Sequence, residues 1–288
     1  MPYSSVFKDQ LFEGQTIIVT GGGSGIGRCN AHELAALGAR VVLIGRKQEK
    51  LDSTQAEIIE DGGKVDTRAC DIREEASVVE TVRSIVDAHG QIHGLVNNAG
   101  GQFPGPLSSI SQKGFETVVR TNLTGGFMMA REVYKQSMSK HGGAIVNIIA
   151  DMWGGMPGMG HSGAARAGME NLTKTAAVEW ASSGTRVNAI APGWIASSGL
   201  DNYDISMKPL ISQLAESVPQ KRLGTEAEVS AAICFLLSEG ACFINGATIR
   251  VDGAASLGNR VWPLAKARNK PEFNGFHRSV TPKVLQKD

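Results

Sequence analysis

From Gln15 onward the chain alternates short β-branched runs with amphipathic stretches of 12 to 20 residues. The spacing predicts seven strands, at Gln15–Thr20, Arg40–Gly45, Lys64–Cys70, Gly94–Asn98, Ala144–Ile149, Arg186–Ala191 and Thr248–Val251. A strand, a helical stretch and another strand, repeated, is how a parallel sheet with crossover helices is written. Right-handed crossovers place the helices on both faces of the sheet, and ligands then gather at the carboxyl ends of the strands. Motifs at strand ends therefore carry the most weight.

There is no internal repeat or low-complexity tract, and no composition break before about Leu257, so residues 1–258 read as one domain. Residues 259–288 read as a basic, extended tail. From Arg260 to Asp288 seven cations (Arg260, Lys266, Arg268, Lys270, Arg278, Lys283, Lys287) stand against Glu272 and Asp288, and Pro263, Pro271 and Pro282 interrupt any helix. Such a tail is either solvated and wrapped over a neighbouring subunit, or in contact with a phosphorylated substrate.

Composition narrows the class. A 42% hydrophobic share over 288 residues supports a sizeable core, and 29 Lys+Arg against 28 Asp+Glu gives no pull toward nucleic acid or an anionic membrane. No apolar run reaches membrane-spanning length, and Met1–Gln10 lacks a secretory build, so a soluble, cytoplasmic protein is expected. Cys29, Cys70, Cys234 and Cys242 form no CxxC and have no His at metal spacing, so they are expected to be reduced, mostly buried thiols, with no metal site. Glycine, 35 residues or about 12% against a typical share of about 7%, points to many close backbone approaches.

The first strand runs into Thr20-Gly21-Gly22-Gly23-Ser24-Gly25-Ile26-Gly27 and then a helical pattern through Ala31, Leu34 and Ala35. Glycines let the backbone approach a pyrophosphate, and the helix amino terminus aims unpaired N–H groups at it. Asp71-Ile72 closes the third strand and suits an adenine edge. Asn97-Asn98-Ala99-Gly100 closes the fourth, and Pro192-Gly193-Trp194-Ile195, with Ser197 beyond, the sixth.

Together these segments resemble the short-chain dehydrogenase/reductase superfamily over nearly all of residues 14–258. The resemblance implies a Rossmann-type doubly wound fold, a nicotinamide dinucleotide and commonly a homotetramer. It implies dinucleotide contacts at Gly21, Ser24, Gly25, Ile26, Gly27, Asp71, Ile72, Asn98, Ala99, Gly100, Pro192, Gly193, Ile195 and Ser197. The second strand ends Ile44-Gly45-Arg46-Lys47, where an acidic residue would hold a ribose diol. Arg46, with Arg28 after the glycine loop, suits a 2′-phosphate, so NADP(H) is expected over NAD(H). The alternative is that Arg46 is a helix-flanking surface charge.

Superfamily members commonly carry Tyr-x-x-x-Lys at the start of a long helix. Here Tyr3, Tyr134 and Tyr203 are followed four residues later by Phe7, Met138 and Met207. The expected place, located by Ala167-Gly168 and Leu172-Thr173-Lys174, reads Ser162-Gly163-Ala164-Ala165-Arg166. The usual serine after the fifth strand is also replaced, in Ile148-Ile149-Ala150-Asp151, while Asn122 keeps the usual form. A positioned acid or base is worth roughly 10² to 10⁴ in rate. Arg166 cannot relay a proton, although it can clamp a nicotinamide ribose. Reduction of an activated C=C bond needs only donors toward a carbonyl oxygen, and Ser162 and Asn122 are candidates for that role. Asp151 and His161 are candidate proton sources, or else structural hydrogen-bonding groups. Met152, Met156 and Met159 beside Trp153 suit an adaptable acyl pocket, or equally core packing or a subunit contact.

The segments Asn97 to Phe103, Ile145 to Ile149 and His161 to Gly168 resemble peroxisomal trans-2-enoyl-CoA reductases and touch the 2,4-dienoyl-CoA reductases. That resemblance implies NADP(H)-dependent reduction of a 2-enoyl-CoA, hence an acyl-CoA partner. Glu170 departs from the aromatic residue of some relatives, and Leu285 to Asp288 is no peroxisomal address. Ala150 to His161 resembles bacterial citronellol/citronellal dehydrogenases, which implies oxidation of a terpenoid or other apolar alcohol. The missing Tyr and Lys also leave open a catalytically silent dinucleotide-binding protein.

Overall fold

Side chains on the first strand alternate between two buried layers. Ile17 and Val19 of β1 (Thr16–Thr20) join one apolar cluster and Ile18 the other; in β2 (Arg40–Gly45), Val41 and Leu43 go one way and Val42 and Ile44 the other. A strand with period-two side chains and both faces apolar is covered on both sides. The computed structural model describes residues 2–202, 208–257 and 264–286.

Between β1 and β2 lies α1 (Gly25–Ala36), and after β2 come α2 (Gln48–Glu60), β3 (Lys64–Ala69), α3 (Glu75–His89) and β4 (Gly94–Asn97). The middle of the chain holds α4 (Gln112–Val119), a π-turn at Arg120–Thr124, α5 (Gly125–Val133), the short α6 (Ser139–His141) and β5 (Gly143–Ile148). Then follow α7 (Gly160–Glu179), β6 (Thr185–Pro192), α8 (Lys208–Ser217), α9 (Glu226–Leu237) and β7 (Thr248–Val251). The seven strands are parallel in the order β3-β2-β1-β4-β5-β6-β7. This is the Rossmann-type doubly wound sheet that the resemblance implies. Leu34, Leu51, Ile58 and Ile233 from α1, α2 and α9 fill one layer; Val78, Val82, Met129, Val133 and Ala176 from α3, α5 and α7 fill the other. The order reverses between β1 and β4, which opens a crevice at their carboxyl ends.

Strand ends differ by a residue from the sequence reading: Cys70 and Asn98 lie just past β3 and β4, while β6 takes in Thr185 and Pro192. Cys29, Cys70 and Cys234 are buried free thiols, and Cys242 is exposed. Among the described residues no helix is long and apolar enough to cross a membrane.

Around Gly275–Arg278 the tail packs on its own chain rather than standing in solvent. Ser4 N donates to Gly275 O at 2.9 Å, and Phe276, 1% exposed, stacks on Tyr3 with ring centroids 5.9 Å apart. Arg278 pairs with Glu60 and Asp61 at the end of α2. It is thus spent on carboxylates, which corrects its expected availability to a phosphorylated substrate. Lys266, Arg268 and Lys270 are exposed, whereas Arg260 and Lys287 lie outside the described residues.

Candidate active site

The loop from β1 to α1 is built for close approach. Gly21 has φ +69°, and a Cβ there would lie 2.9 Å from Asn98 Nδ2. A Cβ on Gly27 would sit 2.4 Å from both Asn98 Nδ2 and Gly21 O, so only glycine fits. Ser24 precedes α1 in extended conformation and makes no side-chain cap, which leaves the N–H groups at Gly25, Ile26 and Gly27 to face an anion. These features fit a dinucleotide pyrophosphate.

Thr20 fastens this loop to β4, a role not read from the sequence. Its hydroxyl donates to Val96 O at 3.2 Å and accepts from Asn98 N at 3.0 Å and Ala99 N at 2.9 Å. Asn98 Nδ2 returns a bond to Thr20 O at 3.0 Å. Below it, Asn97 donates to Gly126 O and Asn147 Oδ1, and Asn147 donates to Thr173, which fixes α5 and α7 against the strand ends.

On the adenine side, exposed Arg46 sits close enough to Asp71 to act on its charge. Arg73 grips Asp71 and, with Arg46, holds the carboxyl down to about 2. Ile72 turns its side chain toward α5, 2.8 Å from where a Cβ on Gly125 would lie. Arg28 is a correction: it donates to Glu57 Oε2 at 2.7 Å and lies over the Phe276 ring, so it is committed to α2 and the tail rather than to a 2′-phosphate.

Around Gly100 three expected residues meet. Asn122, in the π-turn, accepts from Gly101 N at 2.9 Å and donates to Gly101 O at 2.8 Å. Its amide therefore holds the loop after β4 with Oδ1 and one of its two Nδ2 hydrogens. A Cβ on Gly100 would lie 2.7 Å from both Asn122 Oδ1 and Arg166 Nη2. Arg166 donates from Nη1 to Ile148 O, its Nε is buried without a partner among the described residues, and burial pushes the guanidinium down to about 10.

One turn earlier on α7, Ser162 and His161 are both fully buried. The Ser162 hydroxyl donates to Gln102 Oε1 at 2.7 Å, and Ser162 N donates to His161 Nδ1 at 2.9 Å. His161 Nε2 has no partner among the described residues, and the ring meets Phe103 edge-on at 4.4 Å. Gln102 was missed as a site residue because nothing local marks a residue that closes a contact 60 positions away.

Asp151 stands apart from this group. Burial and the Asp252 carboxylate raise it, while Arg250, stacked 4.0 Å over Trp153, opposes the shift. Met152 packs in the core with Met169 and Ile149, with Met156 against that cluster. On the β6 side, Gly193 N donates to Val251 O at 3.0 Å, and a Cβ on Gly193 would meet Asp252 at 2.7 Å. Pro192 and Ile195 are buried, and Ser197 N donates to Ile195 O at 2.9 Å.

A glycine loop feeding a helix at the switch point of a doubly wound sheet, with polar groups gathered at the ends of β4 and β5, defines a dinucleotide-dependent oxidoreductase. Residues 21–256 match the family described as enoyl-(acyl carrier protein) reductase, and the chain belongs to this family of short-chain dehydrogenase/reductases, which bind a nicotinamide dinucleotide. It is 37% identical over 248 residues to a probable 2,4-dienoyl-CoA reductase of Bacillus subtilis, across 85% of this chain and 98% of that protein. A peroxisomal 2,4-dienoyl-CoA reductase of Danio rerio is 33% identical over 263 residues, across 88% of this chain and 86% of its own. The structure of a citronellol catabolism dehydrogenase, AtuB of Pseudomonas aeruginosa, superposes with TM-score 0.81 at 66% identity, covering 88% of this chain and 100% of that one.

Proposed function

We propose that the protein is an NADP(H)-linked reductase of the C=C bond in a 2-enoyl-CoA or 2,4-dienoyl-CoA. The observation that carries this reading is the start of α7, where Ser162 held by Gln102 and a buried Arg166 offer hydrogen-bond donors and no ready base for an alcohol proton. Hydride is the contribution of the bound dinucleotide. The chain's own part is to stabilise charge on the thioester carbonyl oxygen through the Ser162 hydroxyl, whose one proton turns from Gln102 Oε1 to the substrate, with His161 Nε2 as a second donor. Arg166 holds the nicotinamide ribose, while Asn122 fixes Gly101 beside it. Gly21, Ser24, Gly25, Ile26 and Gly27 hold the pyrophosphate and Arg46 the 2′-phosphate. Asp71 and Ile72 flank the adenine, and Asn98, Ala99, Gly100, Pro192, Gly193, Ile195 and Ser197 surround the nicotinamide half. The two relatives named as dienoyl-CoA reductases support the substrate class.

A second reading rests on the 66% likeness to a citronellol catabolism dehydrogenase. It is dehydrogenation of an apolar branched alcohol with Asp151 as base, the carboxyl that burial and Asp252 raise. Purified protein given NADPH with a panel of enoyl- and dienoyl-CoAs, and separately NADP⁺ with branched alcohols, distinguishes the two. The first reading expects NADPH consumption with a conjugated thioester; NADPH formation from alcohols alone would replace it with the second.

A further inference from the structure

Helix α9 opens with a full capping box: the Thr225 hydroxyl accepts from Glu228 N at 3.1 Å, and the Glu228 carboxylate accepts from Thr225 N at 2.9 Å. Glu226, the first helical residue, takes no part in it. Its carboxyl reaches across to the first turn of α1, where Oε1 lies 3.8 Å from the place a Cβ on Gly25 would occupy, and Ser198 Oγ lies equally close. The Ser198 backbone also donates to this carboxyl. The approach is held in place, because the loop after β6 is tied to the start of α9 by Ala196 N to Gly224 O at 2.8 Å and Gly224 N to Trp194 O at 2.9 Å. A carboxyl thus shares its surroundings with the uncapped amino terminus of α1 and the Ser197–Ser198 loop, the segments assigned above to the dinucleotide.

An ionised carboxylate there would oppose a pyrophosphate by like charge, whereas a protonated one would donate to it. The groups facing Glu226 leave the carboxyl without a strong counter-ion. From α1, Arg28 acts on it but is paired with Glu57 at 2.7 Å, and Cys29 is a buried thiol. From the loop after β6 there is Ser198, and on its own helix Glu228 is taken by Arg222. Burial accordingly pushes the Glu226 carboxyl up to about 7.

We infer that Glu226 is a further dinucleotide-binding residue, which holds the pyrophosphate as a neutral carboxylic acid, so that dinucleotide binding takes up a proton. This rests on the dinucleotide site proposed above. The binding form is the protonated one, so affinity is full at pH below the value of the free carboxyl and falls as pH rises through and beyond it.

NADH titrated by fluorescence tests this without the 2′-phosphate, which itself titrates near pH 6. For the unaltered chain, the NADH Kd is expected to rise roughly 20- to 30-fold between about pH 6.5 and about pH 8.5. Glu226→Gln, which keeps a donor but cannot ionise, is expected to hold a nearly constant Kd across that range. Calorimetry of the unaltered chain in two buffers of different ionisation enthalpy should show uptake of nearly one proton per NADH near pH 8, independently of the variant. Identical pH dependence in both proteins, or no proton uptake, would overturn the role of Glu226. Failure of both NADH and NADPH to bind at every pH would instead remove the dinucleotide assignment, and the inference with it.

Discussion

In the first turn of α7 the Ser162 hydroxyl donates to Gln102 Oε1 at 2.7 Å, so a buried helix residue is oriented by the loop beyond β4. Ser162→Ala is expected to lower kcat for enoyl-thioester reduction by about 10- to 10³-fold, through loss of one donor to the developing oxyanion. Gln102→Leu should cost less, and the double variant should be no worse than Ser162→Ala, because Gln102 acts through the serine. Steady-state kinetics of the three variants check this; additive losses would show that the two residues act separately.

Arg46 follows β2 in an exposed position next to Asp71, the proposed place of the 2′-phosphate. Arg46→Asp replaces a charge-assisted pair by repulsion, and should weaken NADPH by about 2 kcal/mol or more, roughly 30-fold, with little change for NADH. Paired Kd titrations measure the ratio, and an unchanged ratio would return Arg46 to the role of a surface charge.

Gly27 has no room for a methyl group, since Asn98 Nδ2 and Gly21 O both lie 2.4 Å from the would-be Cβ. Gly27→Ala should destabilise the fold by about 1 to 3 kcal/mol and displace the loop enough to abolish measurable dinucleotide binding. Gly154→Ala, where no atom lies within 4 Å, is the matched control and should leave thermal unfolding unchanged.

The fold was legible because its signals are local. The β-branched run that becomes β2, Arg40–Gly45, and the glycine loop with Ser24 ahead of α1 each declare themselves within a few residues. The site was legible only as far as its strand ends. Asn122 was recognisable by type, yet the two bonds that tie its amide to Gly101 depend on how the π-turn sets it against the loop after β4. Arg28 looked like a phosphate ligand from its place in the chain, and its capture by Glu57 belongs to the packing of α1 on α2. Glu226 lies about two hundred residues from Gly25 in sequence, and only the sheet order brings α9 beside α1.

The tail follows the same rule, since its charge suggested a ligand and its packing supplies one from within. Phe276→Ala is expected to destabilise the protein by about 3 to 5 kcal/mol, as for other fully buried phenylalanines. Arg278→Ala, which breaks the pairs to Glu60 and Asp61, should lower the melting temperature while leaving the ratio of KM for a CoA thioester to that for the matching pantetheine thioester as in the unaltered protein. A rise in KM confined to the CoA thioester would return the arginine to substrate binding.

The most direct measurement follows the hydride itself. NADPH carrying deuterium at both C4 positions is incubated with the protein and a 2-enoyl- or 2,4-dienoyl-CoA, and the acyl product is analysed by mass spectrometry. A C=C reductase places one deuterium on a carbon of the acyl chain and yields a product with one double bond fewer. Label absent from the acyl chain of every conjugated thioester, together with NADPH formed from NADP⁺ and a branched alcohol, would contradict it.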